Sequence, residues 1–345
     1  MLILTISINI YSQGFIKELS YTEGIKNTDF RSHLDKDLIY ITFDVKKIYD
    51  NDALYLEFED GDVITYVKNY VELRSEDDFY AGYTSSEGDF SISVVGDNVL
   101  GTISHKSVSY RLENSRDNIY TLRQYTTTID DQDLTDYIED EGQEGIETAM
   151  AYSSDENTLI RVLVLFPQHL GFSSNTMRNI VNLNIGYANE SFVNSQINAT
   201  LQVVYIGTTE YNGDREMATE LSNFKKTSDG NMDEVHTLRN KYSADVCILM
   251  EDFDKECGQA QTIQATSSSA FAVVDVDCDH TFTFAHEIGH LMGCRHNREE
   301  DANIIPYAYC HGLVHLDGEH GWRTMMAYST NCSDTNPCNR IKYWS

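Results

Sequence analysis

The stretch "HEIGHLMGCRHN", His286 to Asn297, gathers three imidazoles and a carboxylate in one short segment. On an α-helix, residues four apart share a face, so His286 and His290 present two nitrogens to one point. Phe284, Ile288 and Leu291 carry helical apolar spacing on another face, which suits burial. Asp279 or Thr281 is positioned to cap the helix start. A third ligand must arrive from another direction, so the helix has to end. Gly293 supplies that end, because glycine takes the left-handed conformation at little steric cost. His296 then folds back towards the first pair. Three neutral imidazoles suit Zn²⁺ and leave one position for water, the pattern of a catalytic site. Glu287, beside the first ligand, is placed to take a proton from that water. A bare His-Glu-x-x-His arises by chance in about one chain in a hundred of this length, and the added glycine and third histidine lower that by roughly three orders of magnitude.

A second segment, "WRTMMAY" from Trp322 to Tyr328, strengthens the case. The two segments together resemble the metzincin metallopeptidases, whose zinc motif is followed by a methionine-containing turn. The resemblance makes Met326 the turn methionine and leaves Met325 to the core. Tyr328 then matches the tyrosine that reaches the zinc or the oxyanion in astacin- and serralysin-like members; a packed aromatic is the other reading, and both stay open. From about Leu159 onward the chain is similar to reprolysin-like bacterial metzincins, in particular the peptidyl-aspartate metallopeptidases, through "AFAVVDVDC", "TFTFAHEIGHLMG", "RTMMAY" and "RIKYWS". Two positions depart from that group: Asn297 stands where Asp is usual, and Cys294 where a small residue is usual. The resemblance implies a secreted zinc endopeptidase made as a zymogen, acting on protein or peptide substrates and preferring Asp or Glu after the scissile bond. Arg323 and Arg340 are the candidate partners for such a carboxylate. The alternative is a zinc-stabilised adhesion or binding module that has lost catalysis; it predicts loss of Glu287, which is present.

The elements that must position these residues can be read in outline. Residues 1–13 resemble a secretory signal without the usual basic start. Residues 14–125 alternate apolar and polar positions, as in "LIYITFDV" and "GTISHKSVSYRL", and read as antiparallel strands of a β-rich propeptide domain. Residues 126–157 are acidic and turn-rich and read as an exposed linker and activation segment. Residues 158–345 alternate strands ("TLIRVLVLF", "ATLQVVYIG", "ADVCILM", "AFAVVDV") with helices ("NTMRNIVNLNIGYANESFVNS", with Asn175 as a cap, and "NMDEVHTLRNKY"). The expected fold class is α+β: a metzincin catalytic domain with a twisted mixed sheet, a zinc helix and a methionine turn, after a β-rich propeptide. The family continues past a "YWS"-like stretch, so the end at Ser345 reads as a truncation. A strand around "QTIQAT" is expected to offer an open edge to substrate.

The formal net charge of −30 argues against nucleic acid or anionic lipid as a partner. No segment is long and apolar enough to read as a membrane span. All seven cysteines lie at Cys247 or later. Cys247 sits in an apolar run and reads as a buried thiol; the other six allow fifteen pairings. The family resemblance favours Cys257–Cys278, Cys294–Cys310 and Cys332–Cys338, which would place the protein outside the cytoplasm. Calcium binding has no legible signature. His33, His105, His169, His311, His315 and His320 lack ligand spacing and read as surface or core residues.

No cysteine precedes the linker, so a thiolate cannot cap the metal before activation. A carboxylate is the expected substitute, with the chain's own propeptide as inhibitor. Between Arg123 and Arg161 there is no Lys or Arg, which removes trypsin-like activation, while bonds such as Ser154–Asp155 suit self-cleavage.

Overall fold

The protein is described here by a computed structural model that covers residues 38–125, Tyr137 and 157–344, with short interruptions. The signal-like residues 1–13, His33, His320 and the Ser154–Asp155 bond lie outside the described residues. The chain divides into two compact units, residues 1–127 and 128–345.

The first unit is one antiparallel sheet. Its strands are β1 (Leu38–Thr42), β2 (Ala53–Glu57), β3 (Val63–Leu73), β4 (Asp78–Thr84), β5 (Asp89–Val95), β6 (Asn98–His105), β7 (Val108–Arg116) and β8 (Ile119–Tyr125). A short helix, α1 (Val45–Asp50), follows β1. The order β1-β8-β7-β6-β5-β4-β3-β2 is a meander from β2 to β8, with β1 returning beside β8. Apolar side chains such as Leu54, Tyr66, Tyr83, Ile92 and Leu122 form its core. Tyr83 resolves its buried hydroxyl by donating to the Ile48 carbonyl at 2.5 Å, as buried polar groups must.

The second unit alternates as its sequence suggests, and the class is α+β. The elements are β9 (Thr158–Pro167), α2 (Ser174–Asn194), β10 (Ala199–Thr209), α3 (Met217–Lys225), α4 (Glu234–Tyr242), β11 (Val246–Glu251), β12 (Gly258–Ala260), β13 (Phe271–Asp275), α5 (Thr283–Met292), β14 (Val314–His315), β15 (Gly321–Arg323) and β16 (Cys338–Arg340). The main sheet has the order β10-β9-β11-β13-β12. Its first four strands are parallel, and β12 is an antiparallel edge strand on β13. Parallel strands covered on both faces read as unbroken apolar runs, which is why "VLVLF" and "VCILM" show no alternation. Leu163, Cys247, Leu249 and Phe271 pack with Leu221 and Phe224 of α3 on one side.

Several local expectations change. Ser173, one residue before the helix, caps α2 by accepting from the Thr176 N–H at 3.1 Å; Asn175 lies inside the first turn instead. Neither Asp279 nor Thr281 caps α5. Both belong to a 3-10 turn, Asp279–Thr281, and the entry to α5 is made by Phe282 with φ 60°. The edge strand is β12, just ahead of "QTIQAT". Gln264 and Ala265 instead tie that loop to the end of α5, donating to the His290 and Leu291 carbonyls at 2.9 and 2.7 Å. Tyr137, in the segment read as a linker, is buried at 7% exposure and forms an isolated parallel bridge with Ala260 of β12.

Disulfides join Cys257 to Cys278 and Cys332 to Cys338, as the resemblance implied. Cys247 is a buried thiol whose pKa burial pushes up to about 12. The third expected bridge is absent: Cys294 and Cys310 are thiols hydrogen-bonded to each other, a contact that raises the pKa of the first and lowers that of the second. The two segments are tethered by backbone instead. Arg295 N–H donates to the Cys310 carbonyl at 2.8 Å, and Gly312 N–H to the Arg295 carbonyl at 3.0 Å.

Candidate metal centre

Helix α5 delivers the first two imidazoles, and the turn at Gly293 delivers the third. Gly293 adopts φ 106°, a conformation that side-chain-bearing residues rarely take, and a Cβ there would meet Tyr307 at 2.9 Å. The Nε2 atoms of His286, His290 and His296 then converge, with separations of 3.0, 3.1 and 3.3 Å. All three side chains are buried.

The opposite ring nitrogens explain this arrangement. His286 Nδ1 lies 2.8 Å from the Met325 carbonyl, and His290 Nδ1 lies 2.9 Å from the Cys294 carbonyl. A carbonyl only accepts, so each Nδ1 must carry the proton. That leaves Nε2 lone pairs on these two rings aimed at a common point. Buried lone pairs at such spacing repel unless a cation sits among them. Tetrahedral zinc with Zn–N bonds of about 2.0–2.1 Å spaces its nitrogens about 3.3–3.4 Å apart. The donor set therefore fits zinc in identity, and of the three separations the 3.3 Å between His286 and His296 matches this spacing while the other two are slightly shorter.

Glu287, also buried, follows the first ligand on α5 and abuts the sheet edge at Gly258. A Cβ added to Gly258 of β12 would stand 2.6 Å from Glu287 Oε1, so glycine there lets strand and carboxylate approach. Beneath the cluster runs the methionine turn. Met325 and Met326 are both fully buried. Met325 is more than core, because its carbonyl orients His286. Met326 packs under Gly289, between the two helical ligands. A methyl at Gly289 would enter Met326 Sδ and the Trp344 ring. Overpacking costs about 1–3 kcal/mol, against a helix-propensity gain of about 1 kcal/mol. Gly289→Ala is expected to lose about 1 kcal/mol or more in urea unfolding; an unchanged midpoint would mean that the turn yields freely.

Tyr328 stacks on His296, with ring centroids 3.8 Å apart and an interplanar angle of 29°. Its N–H donates to Asn297 Oδ1 at 3.0 Å, so the residue after the third ligand pins the turn to the cluster. Arg323 and Arg340 stand side by side in the β15–β16 register. Both donate to the Ala327 carbonyl, at 2.6 and 3.1 Å, which sets two guanidinium groups one residue from Met326 and Tyr328.

Three contributors carried no motif. His311, read as a surface or core histidine, holds the His296 carbonyl through Nδ1 at 2.8 Å. Arg295 and Asp301 form a buried ion pair at 2.7 Å just behind His296. Burial alone would raise the Asp301 pKa; hydrogen bonds from Arg295 and Tyr137 outweigh it and hold the carboxyl below its ordinary value. Tyr137 lies over the cluster, 5.0 Å from the His290 ring and 5.6 Å from the His296 ring. Tyr137 thus brings an aromatic ring to the cluster. The remaining histidines stand apart: His169 pairs with Glu251 at 3.1 Å, His315 stacks on Trp322, and His105 is buried in the first unit.

A helix and a turn that close three imidazoles around one point, with a buried carboxylate beside it at a sheet edge, define a metallohydrolase type of centre. Residues 167–345 match metallo-peptidase family M12, and the chain belongs to that family. It is 36% identical over 261 residues to a peptidyl-Asp metalloendopeptidase of Xanthomonas campestris pv. campestris, covering 72% of this chain and 60% of that one. A protein of the same name from Stenotrophomonas maltophilia strain K279a is 36% identical over 292 residues, covering 80% and 68%. The chain thus spans about two thirds or less of the length of these curated relatives. Among solved structures, metalloproteinase-II from Bacteroides fragilis aligns with a TM-score of 0.47 at 12% identity, over 68% of this chain and 78% of that one.

Proposed function

We propose that this chain is a zinc-dependent endopeptidase of the metzincin type, made as a zymogen and exported, that cleaves peptide bonds ahead of an acidic residue. The observation that carries the reading is the convergence of three imidazole Nε2 atoms within 3.0–3.3 Å beside the buried carboxylate of Glu287. His286, His290 and His296 would hold the metal, with carbonyls fixing the protons of the first two rings on Nδ1. Zinc supplies Lewis-acid polarisation of the substrate carbonyl and acidifies a water. Glu287 takes the proton of the attacking water and passes it to the leaving amine. Tyr328, locked on His296, is the candidate donor to the developing oxyanion. Strand β12, once its outer edge is vacated by Tyr137, offers that edge to the substrate backbone.

The acidic preference is supported by the relatives' name and by the paired Arg323 and Arg340 next to the methionine turn. A carboxylate entering a dry pocket needs such a fixed positive partner. Export is supported by the two disulfides. Latency is supported by the separate unit that precedes the centre. No helix among the described residues is long and apolar enough to cross a membrane.

The test is digestion of casein, and of matched peptides with Asp, Glu, Leu or Phe after one defined bond, with and without a zinc chelator. Hydrolysis is expected to vanish with chelation and to favour the acidic peptides. Arg323→Gln and Arg340→Gln should each lower kcat/KM for the Asp peptide at least about tenfold and leave poorer substrates unaffected. Equal cutting at Leu and Asp would refute the preference, and cutting that survives chelation would refute zinc.

A further inference from the structure

We propose that Arg295, Asp301 and the β12 edge at Ala260 form a docking site for a tyrosine-bearing strand, that its occupant is this chain's own Tyr137, and that this docking keeps the centre closed before activation. The inference deepens the proposed function and rests on it.

Tyr137 comes from a segment read as an exposed acidic linker, yet it belongs to the second unit and is 7% exposed. Three kinds of contact hold it. Its backbone bridges Ala260, adding a residue in parallel to the outer edge of β12. Its ring lies against His290 and His296, with centroids 5.0 and 5.6 Å away, and 5.8 Å from the Arg295 guanidinium carbon. Its hydroxyl donates to Asp301 Oδ2 at 2.8 Å. That same oxygen accepts from Arg295 Nη1 at 2.7 Å, and the side chains of both are less than a tenth exposed.

These contacts fall where a substrate would bind. Ala260 is two residues from Gly258, which abuts Glu287, and an added substrate strand would need the same backbone groups of β12. A backbone bridge alone is easily exchanged. The phenol makes it durable, because a hydrogen bond to a buried charged carboxylate is stronger than one to a neutral group. Removing the tyrosine would leave the Arg295–Asp301 pair intact, so the docked state can be lost without unfolding the cluster. The surrounding segment has no Lys or Arg and carries many carboxylates.

The test uses the full-length, zinc-loaded chain in a Glu287→Ala background, which removes self-cleavage. Tyr137→Ala and Tyr137→Phe are compared with the parent, with circular dichroism confirming folding. One readout is the rate at which a chromophoric chelator extracts zinc; another is the rate at which an added glutamyl endopeptidase cuts residues 126–156. Tyr137→Ala is expected to speed both by at least about tenfold, and Tyr137→Phe, which keeps the ring and loses the hydroxyl, by less. Rates for Tyr137→Ala equal to the parent in both readouts would overturn the proposal. Neither readout requires catalysis. Failure of the matured wild-type chain to hydrolyse peptides would instead count against the proposed activity and leave this result standing.

Discussion

Glu287→Ala is expected to retain its zinc and to lose peptide hydrolysis by roughly 10³-fold or more. The ligands stay, since three imidazoles hold the metal and two are oriented by the Met325 and Cys294 carbonyls rather than by Glu287. The loss is large because one carboxylate serves both halves of the reaction, taking the proton from water and returning it to the amine. General acid–base catalysis contributes about 10²–10⁴-fold per role. Glu287 is also fully enclosed, so bulk water cannot readily replace it. Zinc content by atomic absorption and kcat/KM on an Asp-containing peptide should be measured on the same preparation. A zinc-loaded variant that keeps even a tenth of the parent's turnover would remove Glu287 from the mechanism.

Lys342→Met is expected to cost stability heavily, although it lies outside the metal centre. Lys342 Nζ pairs with Glu190 Oε1 at 2.8 Å, with side-chain exposures of 2% and 0%. The pair ties the C-terminal segment to α2, and Asn194 reinforces it by donating to the Lys342 carbonyl at 3.0 Å. Trp344, two residues on, stacks on Phe192 of α2 with centroids 5.0 Å apart and packs towards Gly289 between the ligands. Deleting one member of a buried pair strands the other charge in low dielectric, at a cost of about 3–5 kcal/mol. For a unit of this size that is on the order of 10 °C in Tm. Replacing both partners with apolar residues, as in Lys342→Met with Glu190→Leu, should recover most of the loss, because no charge then remains to be solvated. A single variant melting within about 2 °C of the parent would show that Glu190 finds another counter-charge.

These two predictions draw on different sources. The first rests on residues whose relation is local. His286 and His290 share a helical face by spacing alone, Gly293 ends the helix because its φ of 106° suits only glycine, and His296 follows three residues later. Periodicity likewise gave β9, β10, β11 and β13 within a residue or two, since strands in a covered parallel sheet need long apolar runs, but the short strands β12, β14, β15 and β16 carried no such run and were not read. Where the local reading failed, a tertiary demand won. Phe282 takes a left-handed conformation at the entry to α5, leaving Asp279 and Thr281 in a preceding turn. Helix α3 went unnoticed, as "MATELSNFK" is short and presents only Met217, Leu221 and Phe224 as a strong apolar signal.

The sequence by itself determined which residues can bind a metal, which carboxylate follows the first of them, and the alternation that makes an α+β unit. Tertiary structure alone decided the rest. It decided that the Met325 and Cys294 carbonyls fix the imidazole protons, that His311 braces the third ligand, and that Cys294 and Cys310 lie together as thiols. It also decided that Lys342 meets Glu190 and that Tyr137 reaches Asp301 across 164 positions of chain. The physical reason is common to all of these. A helix fixes the relation of residues four apart by its own geometry, whereas a carbonyl acceptor has no side-chain signature, and two distant charges meet only where the packing of the whole chain leaves them no water.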